Sequence, residues 1–155
     1  MSLRRTLRRS TWLERPVDEV FDFFADAGNL ERITPPELRF RILTPMPVAM
    51  RTGALLDYRL SLYGVPFRWR TEITVWDPPS RFVDAQLAGP YRSWVHTHTF
   101  VAERGGTRME DHVEYVLPLG RLGLLALPLL RRQLERIFDH RERVIRALLV
   151  ARPGR

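Results

Sequence analysis

Two of the chain's 4 histidines, His96 and His98, are separated by one residue. On a β-strand that spacing turns both imidazoles to the same face. A histidine beside a carboxylate can serve as general acid or base, and Asp111 and Asp84 are the acids that strand pairing can bring near. The pair His-x-His with one of these acids also has the donor types of a mononuclear zinc site. Buried histidines hydrogen-bonded to Asp111 and Tyr115 would serve the core alone. Tyrosines and tryptophans close in the pattern, Tyr58, Trp69, Trp94 and Tyr115, could orient a flat or greasy molecule beside them.

Other chemistries are absent from the sequence. With 0 cysteines there is no thiolate nucleophile, disulfide framework or Cys-based metal site, which fits a reducing, cytoplasmic setting. No serine sits in a Gly-x-Ser-x-Gly elbow, and Gly105-Gly106 belongs to a hairpin rather than a phosphate-binding loop. No cofactor and no resident metal are expected. The net charge is +7, and all 25 basic residues are arginine. They are scattered rather than gathered with stacking aromatics, which predicts no nucleic-acid binding. Arg4, Arg5, Arg8 and Arg9 would keep a first strand soluble at an exposed edge. Neither a signal peptide nor a bilayer-spanning run is expected: the start, Met1-Ser2-Leu3-Arg4-Arg5, has no apolar core, and the greasy run Leu122 to Leu130 is short and broken by Gly and Pro.

The elements that must position these residues follow from periodicity. Leu3 to Leu13 predicts a strand. Pro16 to Phe24 predicts a short helix with acids in its first turn and Val20, Phe23 and Phe24 on one face. Asn29 to Ile33 predicts a second, capped by Asn29 and stopped by Pro35-Pro36. Leu38 to Leu43 reads as a short strand. A two-residue turn at Gly64-Val65 pairs Leu60 with Trp69 and Tyr58 with Thr71. One at Gly105-Gly106 pairs His96 with Tyr115, His98 with Val113 and Phe100 with Asp111, which turns both histidines and Asp111 inward. Arg81 to Leu87 offers two faces, Phe82/Asp84/Gln86 or Val83/Ala85/Leu87, and the apolar pattern favours the second as inward. From Leu127 on, Leu127, Leu130, Leu134, Ile137, Phe138, Val144, Ile145, Leu148 and Leu149 keep the helical period of one buried stripe. The prediction is one α+β domain over residues 1–155, an antiparallel sheet bent round a long C-terminal helix. The leucine-rich stretch Leu119 to Leu130 reads first as a core-packed lead-in to that helix. Its alternatives are a gate, a homodimer contact or a transient lipid-touching patch beside arginines.

The segments Pro16-Val17-Asp18-Glu19-Val20-Phe21-Asp22-Phe23-Phe24-Ala25-Asp26, Asn29-Leu30, Trp76-Asp77-Pro78-Pro79-Ser80-Arg81-Phe82 and the terminal helix resemble the START-like, or SRPBCC, superfamily. Its members include polyketide cyclase/dehydrase proteins and birch-type pollen allergens. Phe82-x-Asp84-x-Gln86, Gly89-Pro90-Tyr91, Trp94-x-His96-x-His98-x-Phe100 and the Arg131 to Phe138 stretch are similar to a bacterial branch sometimes joined to an epimerase-like domain. The resemblance implies a helix-grip fold with a cavity between sheet and helix. It also implies binding of a small hydrophobic molecule, lipid-like or polyketide-like, by Tyr58, Trp69, Asp84, Gln86, Trp94, His96, His98, Phe100, Asp111 and Tyr115. A cyclase- or dehydratase-like use of His96, His98 and Asp111 is the alternative.

Overall fold

Two tight turns set the frame of the sheet. In the computed structural model, which describes residues 3–150, Tyr63 (φ 51°) and Gly64 (φ 80°) form one turn, and Arg104 (φ 52°) and Gly105 (φ 73°) form the other. Two consecutive left-handed residues are the geometry whose twist matches that of paired strands, with glycine favoured second. Each turn therefore starts one residue earlier than the sequence reading put it, and the register moves by two. Tyr58 pairs with Trp69 and Leu60 with Phe67. Trp94 pairs with Tyr115, His96 with Val113, His98 with Asp111 and Phe100 with Met109. Because side chains alternate with period two, this slip leaves every residue on its expected face.

The elements are β1 (Arg4–Leu13), α1 (Val17–Ala25), α2 (Asn29–Ile33), a 3₁₀ turn (Pro36–Leu38), β2 (Arg41–Ile42), β3 (Leu55–Leu62), β4 (Val65–Asp77), β5 (Arg81–Ala88), β6 (Ser93–Glu103), β7 (Gly106–Val116), a 3₁₀ segment (Gly120–Ala126) and α3 (Leu127–Val150). The strands form one seven-stranded antiparallel sheet in the order β1-β7-β6-β5-β4-β3-β2. With α3 against the concave face and the two short helices at one end, this is the helix-grip architecture. The ends of the expected 1–155 domain, residues 1–2 and 151–155, lie outside the described residues. None of the described helices is long and apolar enough to cross a membrane.

Several local expectations are corrected. The strand expected over Leu38 to Leu43 shrinks to Arg41–Ile42, because Arg39 adopts a left-handed φ of 47° after the 3₁₀ turn. Asn29 does not cap α2; Gly28 holds that position, and the Asn29 amide donates to the Phe23 carbonyl instead. In α1 it is Phe21, with Val20 and Phe24, that is buried. On β5 the inward face is Phe82 and Asp84, against the apolar pattern, and Leu87 is 54% exposed. An inner face that borders a cavity can carry polar groups with partners there, so the greasier set is not bound to face it. The leucine stretch is only partly packed: Leu127 and Leu130 lie against the core, whereas Leu119, Leu122, Leu125 and Leu129 are 78%, 69%, 82% and 50% exposed.

Two of the three hydrophobic clusters pack between sheet and helix. One gathers Phe21, Phe24, Phe82, Phe100, Met109 and Ile145 under α1, with edge-on and tilted ring contacts. The other gathers Leu60, Trp69, Tyr91, Val113, Tyr115, Leu134 and Phe138. At the β1 edge of the sheet, Arg9 reaches Asp139 at 2.6 Å and Arg146 donates to the Trp12 carbonyl, which ties α3 to that edge.

Candidate functional site

Three adjacent strands and the helix converge on one buried group of charges. His96 and His98 rise from β6, Asp111 from β7, Asp84 from β5 and Arg141 from the middle of α3. Alternation on β6 explains why both imidazoles are 5% exposed or less. His96 Nε2 donates to Asp111 Oδ1 at 2.7 Å, and His98 Nε2 donates to Asp84 Oδ2 at 2.6 Å. The two rings stack with centroids 3.6 Å apart, and Phe82 lies on the other face of His98 at 4.0 Å. Arg141 Nη2 stands 3.3 Å from Asp111 Oδ1 and 3.4 Å from His98 Nδ1. Its guanidinium also faces the rings of Phe24 and Phe138.

The electrostatics divide the two histidines. Burial, reinforced by the charge on His98, drives His96 down to about 4. Burial would lower His98 as well, but hydrogen bonds with Asp111 and Asp84 overcome it and raise that imidazole above its ordinary value. Burial opposes the charge on Asp111, yet Arg141 and the bonds from His96 and His98 hold it well below the usual carboxylate range. Asp84 is lowered too, its desolvation outweighed by the His98 bond and the nearby positive charges. With His98 protonated, two carboxylates face two cations and His96 is the uncharged member. Burial keeps the Tyr58 hydroxyl protonated, far above its ordinary range.

Asp84, His96, His98 and Arg141 form one wall of a cavity of about 190 Å³ between sheet and helix. Its other walls are apolar and aromatic: Phe24 and Leu30 from the short helices, Leu38 from the 3₁₀ turn after them, Tyr58, Leu60 and Trp69 from β3 and β4, Tyr91 and Trp94, and Leu134, Ile137 and Phe138 from α3. Two buried donors of this lining, Trp69 Nε1 and Arg141 Nε, have no hydrogen-bond partner. Leaving a buried donor unmatched costs about 1–3 kcal/mol.

Of the residues singled out in the sequence, Tyr58, Trp69, Asp84, Trp94, His96 and His98 line this cavity. The other four are placed elsewhere. Asp111 stands behind the histidines as their acceptor. Gln86 braces the loop after β5, donating to the Tyr91 carbonyl at 2.6 Å and accepting from its N–H at 3.2 Å. Phe100 belongs to the aromatic cluster under α1, and Tyr115 packs behind Tyr91 and Trp94. The residue that sequence reading missed is Arg141. Leu134, Phe138 and Ile145 trace one helical stripe, and position 141, three after Phe138 and four before Ile145, falls on it. An arginine interrupting an apolar stripe was the available signal.

Asp84, His96 and His98 bring three potential metal-donor atoms within 4.8 Å of one another. Both imidazole Nε2 atoms are already engaged by carboxylates, and a guanidinium stands 3.4 Å from His98. A dication would have to displace those bonds beside a fixed positive charge. The arrangement is better suited to hydrogen bonding and to moving protons.

Comparisons with known proteins show the same fold. The chain matches the fold of the ZhuI aromatase/cyclase from Streptomyces sp. R1128 with a TM-score of 0.76 at 15% identity, over 97% of this chain and 99% of that one. It matches TTHA0849 from Thermus thermophilus with a TM-score of 0.76 at 17% identity, over 95% and 98%. The major latex-like protein 151 of Panax ginseng matches with a TM-score of 0.67 at 14% identity, over 96% and 99%. A search of the curated proteins returned no match. Residues 13–139, which span β2 to β7 and the first half of α3, fit the family described as polyketide cyclase / dehydrase and lipid transport, and the chain belongs to that START-like family.

Proposed function

We propose that the chain binds a small, compact hydrophobic molecule between the sheet and α3, oriented by His96 and His98. The observation that carries this reading is the cavity of about 190 Å³, walled by aromatic and aliphatic side chains with its ionisable groups gathered on one side. An apolar cavity of about 150 Å³ is known to take up benzene, so this one accommodates a ring-sized compound. A full acyl chain would require the walls to part. Native mass spectrometry of protein purified from cells tests the reading: a stoichiometric adduct of low mass is expected, lost on replacing Leu134 by Trp to fill the space. A bare chain that also takes up no added small aromatic would overturn it.

A second reading rests on the divided histidines. Neighbouring titratable groups whose surroundings push them apart are the usual mark of an acid and base pair. His98, raised, and His96, lowered, stand with ring centroids 3.6 Å apart beside the cavity. Cyclase- or dehydratase-like chemistry needs proton transfers of this kind in a dry pocket. In this reading His96 accepts a proton, His98 donates one, and Asp111 and Asp84 hold the rings. Turnover of an aromatic precursor unchanged in both His96→Ala and His98→Ala would end it. The exposed leucines of 119–129 supply a contact surface for a lipid surface or a second copy of the chain.

A further inference from the structure

Arg141 is a charged group of the cavity whose bonding is incomplete. It is 9% exposed, and its Nη2 reaches Asp111 Oδ1 at 3.3 Å, while a protonated His98 turns its own Nδ1–H to the same oxygen at 3.4 Å and accepts nothing from Arg141. Its Nε is buried without a partner. Trp69, 6% exposed, lines the same cavity with its indole N–H likewise unmatched. Both orphans are donors, so what they lack is an acceptor, and a guanidinium discriminates in favour of a charged one. Asp84 and Asp111 are balanced by Arg141 and a protonated His98, so the cluster carries no net negative charge to repel an anion.

Building on the cavity-binding reading, we propose that Arg141 is the receiving site for an anionic oxygen, so that the cavity selects a compact aromatic acid, a phenol or carboxylic acid bound in its ionised form, over its neutral isostere. For a phenol the O–H bond breaks, its electron pair stays on oxygen facing Arg141, and the proton is released to solvent. Trp69 supplies a neutral donor for a second oxygen substituent.

4-Nitrophenol and 4-nitrotoluene test this, because they differ by hydroxyl for methyl and ionised nitrophenol absorbs in the visible. At a pH below the dye's own pKa, 4-nitrophenol bound to the native chain is expected to show the phenolate band and to bind at least tenfold, about 1.4 kcal/mol, more tightly than 4-nitrotoluene. Arg141→Lys keeps the band, whereas Arg141→Gln loses it and binds the two compounds alike. A bound dye with the spectrum of the neutral phenol, or equal affinities in the native chain, overturns the proposal while leaving cavity binding intact. The native chain alone decides this should Arg141→Gln fail to fold. A phenolate band that persists in Arg141→Gln overturns it too. Failure of both compounds to bind the native chain removes the cavity reading and this one together.

Discussion

Replacing His96 by Gln is expected to flatten the acid side of the stability profile. The imidazole is buried and lowered from 6.5 to about 4 in the folded chain, chiefly by desolvation and then by the charge on His98. The unfolded chain keeps the ordinary value, so below 6.5 it binds a proton that the folded chain refuses. Stability therefore falls as pH drops from 6.5 towards 4, and the penalty grows by roughly 1.4 kcal/mol per pH unit. Between about pH 7 and about pH 4.5 this amounts to ~2.5 kcal/mol for His96 alone. His98 does not mask the effect. Its folded value is raised, so its contribution is complete below 6.5 and is lost only as pH rises through the folded value. Glutamine keeps a neutral amide donor for Asp111 and cannot titrate. Urea unfolding of both chains at the two pH values gives the comparison: the variant's stability relative to the native chain should improve by ~2.5 kcal/mol on going to the lower pH. Parallel profiles would show that His96 is not held neutral by its surroundings, and the acid and base division between the histidines would fall.

Other expectations follow from the same structure. Arg141→Met leaves two buried carboxylates against one cation and should cost about 3–5 kcal/mol in urea unfolding, as breaking a buried ion pair does. A loss under about 1 kcal/mol would mean that the charges do not act as a unit. Arg104→Asn places a residue tolerant of left-handed φ in the β6–β7 turn and should stabilise by about 1 kcal/mol, read as a higher denaturation midpoint at unchanged slope. Leu122→Ser with Leu125→Ser, at positions 69% and 82% exposed, should leave the thermal midpoint unchanged and reduce any vesicle flotation or self-association of the native chain. A large drop in the midpoint would place those leucines in the core after all.

The order of elements was legible because each carries its own period: alternation on β6 and β7, a stripe on α3, glycine-bearing turns between strands. The inward histidines were legible for the same reason, and they survived a register error because it was a slip of two. That slip arose from giving glycine the first place in each turn, where the paired left-handed geometry puts Tyr63 and Arg104. The face of β5 was misread because a cavity wall is not an apolar core, so Asp84 looks inward while Leu87 looks out. Arg141 escaped notice for a related reason: periodicity marks position 141 as inward, but only the carboxylates of two distant strands explain why an arginine can stand there. The exposure of Leu122 and Leu125 depends on how the chain crosses from β7 to α3, which composition does not encode.

Crystals grown or soaked with bromobenzene test most directly whether the apolar space beside the imidazole pair takes up a ring-sized guest, read through the anomalous signal of bromine. A peak enclosed by Trp69, Phe138 and His98 is expected. Bromine found only on the outer surface, with side chains closed over the interior, would contradict cavity binding.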